Sequence, residues 1–188
     1  MKNIFVISIV LTIGIFSFTS CKKGHPKKVA TIDSLLIRID SSTTEFNKIN
    51  RDSINAKNTF FKNSLPTIAI FLEKPVEPDE LNMLQRWGQN KKPFRNFLEK
   101  KDQFDTELEF SKKQLESLKQ SLKTNEIPKD SIDIYLNQET IAAKHIISET
   151  IIAITMVNKQ VKEFDTLKPL VNKFIEKYTQ IKIKNLNK

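Results

Sequence analysis

Residues 31–64 read TIDSLLIRIDSSTTEFNKINRDSINAKNTFFKNS. Apolar or small residues recur at Ile32, Leu35, Ile39, Ser42, Phe46, Ile49, Ser53, Ala56 and Phe60, in alternating steps of three and four. A helix turns once in 3.6 residues, so this spacing lines up one face to pack on other helices. At about 1.5 Å per residue, one unbroken helix over this stretch would be roughly 50 Å long.

The same spacing returns downstream. Pro93 opens a second long segment whose seam is Phe94, Phe97, Lys101, Phe104, Leu108, Ser111, Leu115, Leu118 and Leu122. Thr124–Lys129 then forms a compact turn, and Asp130 suits a helix N-cap. A third segment carries Ile132, Tyr135, Leu136, Ala142, Ala143, Ile146, Ala153, Met156, Val157, Val161 and Phe164. Pro169 either kinks that helix or starts another through Leu170, Phe174, Ile175 and Tyr178. The stretch 66–92 is less regular. Pro66 interrupts the first seam, and Thr67–Glu73 reads as a short buried turn of helix. Pro78, with Asp79 and Glu80, marks a short helix start. Leu81, Leu84 and Trp87 would face inward, and Gly88 would close that helix. The expected fold is therefore all-α: an elongated antiparallel bundle of three long helices plus short connecting helices, over residues 31–181. Residues 182–188 read as a frayed tail.

Composition agrees. Only three glycines occur in 188 residues, which argues against a sheet protein with tight glycine-rich turns. The net charge of +9 suggests an acidic partner, with nucleic acid the usual first thought. Here the basic residues are dispersed among acids along the whole chain. A solvated Lys-rich surface favouring anionic lipid or polysaccharide is the plainer reading, and no nucleic-acid partner is expected.

The amino terminus has a separate character. Met1-Lys2-Asn3 is a short cationic start, residues 4–18 are uncharged and mostly apolar, and Phe18-Thr19-Ser20-Cys21 precedes an abrupt polar turn. That order is the order of a secretory signal peptide. The segment resembles the type II signal peptides of bacterial lipoproteins, with Ser20 and Cys21 fitting the lipobox and Phe18 standing where leucine is usual. The resemblance covers residues 1–21 alone. It implies removal of residues 1–20, diacylglycerol on the Cys21 thiol and acylation of the new amine. Two or three chains are what durable anchoring needs, since a single chain binds only marginally. Residues 21–30 would be the lipidated tether. Against this stands an uncleaved membrane anchor, favoured by Lys22, Lys23, Lys27 and Lys28 on the trailing side of the apolar run. Those same lysines replace the acidic cluster that sends some lipoproteins to the cell surface, so an outer-membrane lipoprotein facing the periplasm is expected. Cys21 is the only cysteine, which excludes an internal disulfide.

Chemistry-bearing patterns are few. His25 falls in the tether and His145 on the third helix, and no glycine-rich elbow or phosphate loop accompanies either. Paired Glu-x-x-His motifs and Cys/His zinc spacings are missing, so no catalytic residue, metal or cofactor is expected. Glu139 and Glu149 fall near the seam as a candidate acidic pair, with Lys101 likewise on the second helix; an inter-helix ion pair or an exposed seam is the plainer account. Met83 and Trp87 are candidates for lining a ligand groove, although an aromatic at that spacing is more often core. Asp33-Ser34-Leu35, Asp52-Ser53-Ile54, Asp130-Ser131-Ile132 and Asp165-Thr166-Leu167 resemble an O-glycosylation sequon of some Gram-negative bacteria. That makes Ser34, Ser53, Ser131 and Thr166 candidate acceptors, while Asp-hydroxyl pairs also begin helices. The function expected is a lipid-anchored interaction or structural protein of the cell envelope with a protein partner. The alternatives are a ligand-binding module with a pocket between helices, and an accessory factor or enzyme acting on envelope polymers.

Overall fold

The computed structural model describes residues 25–73 and 75–186. The signal-peptide and Cys21 readings fall outside those residues, as does the end of the tail at 187–188. The protein is all-α. Among the described residues five helices follow one another: α1 (Pro26–Asn47), α2 (Arg51–Phe71), α3 (Pro78–Gly88), α4 (Lys91–Thr124) and α5 (Lys129–Leu186).

The single helix expected over 31–64 is two. Asn50 adopts extended backbone and its Oδ1 accepts the Ser53 N–H at 2.8 Å, capping α2, with Asp52 in the first turn. The break shifts the phase of the seam by about one residue. Ile32, Leu35, Ile39, Ser42 and Phe46 are buried as expected, but beyond it Ile54, Asn58 and Phe61 turn inward while Ser53 and Ala56 are exposed. Pro66 does not end the helix. It sits on the exposed face of α2, where the carbonyl it leaves without a donor can turn to water. Pro169 lies likewise on an exposed face, and α5 runs through it unbroken for 58 residues, roughly 87 Å at 1.5 Å each.

Two ends also differ from expectation. α1 begins at Pro26, inside the segment expected as tether, because proline is preorganised for the first helical position and Lys27-Lys28-Val29-Ala30 contains no breaker. α5 continues to Leu186, since nothing after Pro169 stops a helix. The turn between α4 and α5 is where expected. Asn125 closes α4 in the left-handed region (φ 55°), a conformation asparagine tolerates. Lys129 starts α5, so Asp130 sits in its first turn rather than at its cap. Gly88 ends α3 without positive φ.

Ion pairs read out the register. Lys28 meets Asp133 and Lys57 meets Asp165, a nearly constant offset, so α1 and α2 run parallel to α5. Asp33 meets Lys119, Asp40 meets Lys112 and Arg51 meets Asp102, so α4 runs antiparallel to both. Glu80 with Lys177 and Arg86 with Glu163 place α3 antiparallel to the far part of α5. The molecule is thus three rods: α1 with α2, α3 with α4, and α5. The joints at 48–50 and 89–90 are staggered: Arg51 sets the first beside Asp102 of α4, whereas at the second Trp87 bonds Ser64 of α2 and Gln160 of α5 donates to the buried Asn90 at 2.7 Å.

Two cores lie along the rods. The first is aliphatic: Ile32, Leu35 and Ile39 meet Leu108, Leu115, Leu118, Leu122, Ile132, Ala143, Ile146 and Ile147. The second is aromatic, gathering Phe46, Phe61, Phe71, Trp87, Phe94, Phe97, Phe164, Phe174 and Tyr178. Phe104 packs against both. Near this boundary the register levels three buried small hydroxyl residues, Ser42, Ser111 and Thr150, one from each rod. Lys101 is buried close by, its Nζ donating to Asn47 Oδ1 at 2.9 Å and Asp105 Oδ2 at 2.8 Å, and lying 4.6 Å from the Phe46 ring centre.

Candidate functional site

Trp87 is core. It is 1% exposed, donates its indole N–H to Ser64 Oγ at 3.1 Å, and packs with Phe164, Phe61 and Phe60 at ring separations of 5.0, 5.5 and 6.1 Å. A side chain enclosed this way lines no groove, and half-buried Met83 packs on the same cluster. Leu81, expected inward, is exposed. Glu139 is half-buried and Glu149 exposed, so they are not a buried acidic pair, and Lys101 pairs within its own helix instead. His145 is exposed on α5, with no hydrogen bond to an acid among the described residues. Among those residues, no three His, Cys, Asp or Glu gather to hold a metal ion.

The four candidate glycosylation positions are all helical. Ser34 and Ser53 are exposed and Ser131 is half-buried in the first turn of α5. The Thr166 hydroxyl donates to the Lys162 carbonyl at 2.9 Å. Only Asp52 and Asp130 lie at helix starts; Asp33 and Asp165 are interior to helices and bound to Lys119 and Lys57.

The surface that stands out was hidden in the third seam. Among the described residues α5 is the one helix long and apolar enough to cross a membrane, and only 28% of its most apolar stretch is buried. One side of it, Ala143, Ile146, Ile147, Thr150 and Val157, faces the bundle. Another side is open. Ile134, Ile141, Ile152 and Met156 return to one face at helical spacing and are 57, 60, 49 and 49% exposed. Tyr135, Ala142 and Met156, expected in the seam, are exposed as well, because a helix apolar on several faces gives periodicity nothing to choose between.

No family model, curated protein or solved structure matches this chain.

That open face leads into a depression between α4 and α5. Phe97, Phe104, Ala153 and Val157 line its apolar part, Ile152 and Met156 flank it, and Lys100 and Glu149 bring charges of both signs to its edge. Its volume is about 130 Å³. Small-molecule sites usually enclose roughly 300–1,000 Å³, so this one matches a single inserted side chain better than a free ligand. An apolar hole rimmed by charge is the form in which helices accept knobs from other helices, and in which interface anchors are shielded from water.

At the far end of α5 a polar clasp ties α3 down. Tyr178 Oη donates to Glu80 Oε2 at 3.0 Å and Lys177 Nζ donates to Glu80 Oε1 at 2.8 Å. Burial pushes the Glu80 carboxyl up, but the hydrogen bonds from Lys177 and Tyr178 and the lysine charge outweigh it, holding it below the usual carboxylate range. Burial, then the bond to Glu80, pushes the Tyr178 phenol up, and the bond to Glu80 raises Lys177.

Proposed function

We propose that this chain is a non-catalytic, lipid-anchored interaction protein of the bacterial cell envelope, held by acyl chains on Cys21 in the outer membrane and facing the periplasm. Its partner presents an amphipathic helix to the open face of α5. The observation that carries the reading is the uncovered apolar side of α5 with its side-chain-sized hole. Exposed apolar side chains repeated along one helix face, here with the exposed His145 and Ser148 between Ile141 and Ile152, mark an interaction site more often than idle surface. The anchor rests on Ser20-Cys21 after an apolar run, and the start of α1 at Pro26 leaves a short link between Cys21 and the bundle. A small apolar ligand between the helices is the competing use of the same hole, and its volume disfavours it.

The test is a double substitution, Ile141→Asp with Ile152→Asp, in the native host. Both side chains are largely exposed, so the helix content by circular dichroism should be unchanged. The expected result is that one envelope protein, cross-linked to the wild type, is lost from the double variant and retained by a Phe110→Asp control on α4. An unchanged set of adducts in the double variant would overturn the reading. So would an uncut chain with an unmodified Cys21 in the intact mass.

A further inference from the structure

Beside the first turns of α1 lies a second, open groove of about 430 Å³ between α1 and α5. Lys27 and Arg38 of α1 and Lys144 of α5 line it, with the hydroxyls of Ser34 and Thr140, and no acid is among its lining residues. What sets these three cations apart is their gathering on one groove with no acid in its lining. Nearby Lys28 and Lys119 each have a carboxylate, whereas among the described residues Lys27, Arg38 and Lys144 are in no ion pair. Like charges gathered without a counter-ion repel one another, and they persist most readily where an anion joins them. The local backbone adds to the demand. α1 opens with no acidic residue in its first turn and no side-chain cap, and lysines occupy the end where the helix dipole is already positive. The Ser34 and Thr140 hydroxyls make no hydrogen bond among the described residues, which leaves them as donors. Cations and hydroxyls converging on one open groove are a phosphate-binding chemistry.

The position points to the source of the phosphate. Lys27 lies six residues after Cys21, and an extended chain spans at most about 3.6 Å per residue, so the groove is within roughly 20–25 Å of the acylated residue. We infer that this groove binds the phosphate of an anionic phospholipid headgroup in the membrane that holds the tether. The inference rests on the lipid-anchor reading. Bound there, the headgroup fixes how the bundle stands on the bilayer. The groove also explains one use of Ser34 that excludes another: a glycan on Ser34 would obstruct it.

Native mass spectrometry of the protein isolated from host membranes in non-ionic detergent tests this. The probes are phosphatidylglycerol, phosphatidylcholine and inorganic phosphate. Phosphatidylglycerol should form a one-to-one adduct that phosphatidylcholine does not. The triple variant Lys27→Gln, Arg38→Gln, Lys144→Gln should lower its affinity on the order of 100-fold, because each basic contact near an anionic surface contributes several-fold. The pair Lys27→Arg, Lys144→Arg keeps the charge and should keep the adduct, which separates lost binding from lost folding. Equal adducts with both lipids, an adduct undiminished in the triple variant, or binding of phosphate in place of the lipid would each overturn the inference. The same spectra report the mass on Cys21, so failure of the anchor is read separately from failure of the groove.

Discussion

The half of the bundle near the tether and the half beyond the joints are held by different side chains. Near the tether, leucines and isoleucines from α1, α4 and α5 form the core, and many residues contribute comparably. Beyond the joints the core is aromatic and centred on Trp87, which touches Phe60, Phe61 and Phe164 and satisfies its N–H on Ser64. The difference follows from the joints. Where α1 and α4 run straight against α5, regular heptad steps fill the space with aliphatic side chains. Around and beyond the breaks, where α2 and α3 take over beside α5, large flat rings from all five helices fill the core. A core of equal parts tolerates the loss of any one part better than a core built on a keystone.

The largest expected effect tests that contrast. Trp87→Ala should cost roughly 3–5 kcal/mol and Leu115→Ala roughly 2–4 kcal/mol in urea unfolding, the indole losing both its area and its hydrogen bond. Equal costs would remove the keystone from the account. A smaller effect sharpens the boundary. Lys101→Ala should cost about 1–2 kcal/mol, since it removes the hold on Asn47 and the contact with Phe46 while half-exposed Asp105 is rehydrated. Ser111→Ala should be neutral or gain up to about 1 kcal/mol, because the buried Ser111 Oγ has no partner to lose. A substantial loss there would show that the hydroxyl level between the two cores is bonded after all.

The smallest effect belongs to pH. The Glu80 pKa is lowered on folding, so its contribution is present above its unfolded value near 4 and is lost as pH falls through the lower folded value. Lys177 and Tyr178 are raised, so their contribution is present below about 10 and is lost as pH rises past it. Protection factors of α3 amides, referenced to the intrinsic exchange rate at each pH, should therefore fall at both extremes in the wild type. In Glu80→Gln the acid limb should flatten; an unchanged acid limb would remove Glu80 from the cause.

How much of this was legible in the residues depended on whether a signal was local. The seams from Ile32 to Phe46 and from Phe94 to Leu122 follow from spacing alone, because each helix buries one face. The break at 48–50 was hidden because three- and four-residue steps run through it, although Asn50 with Asp52 is a capping signature. Pro66 reads as a breaker and Pro169 as either a kink or a new start, yet both stay inside helices, since exposure on a helix surface is what lets a proline stay. Trp87 was legible as core, the plainer of its two readings. The two surface sites were the least legible. The open face of α5 competes with a buried face of similar composition. The basic groove joins Lys27 and Arg38 to Lys144, more than a hundred residues away, and no periodicity connects them.

Photo-cross-linking from single positions in living cells tests the central claim most directly. A photoreactive side chain at Ile152, at Met156, and at the exposed controls Ile37 and Phe110 samples four points of the described surface. One adduct of constant mass is expected from Ile152 and Met156 and none from the controls, with the cross-linked partner residue on a helical segment. Adducts spread evenly over all four positions, or confined to the controls, would contradict it.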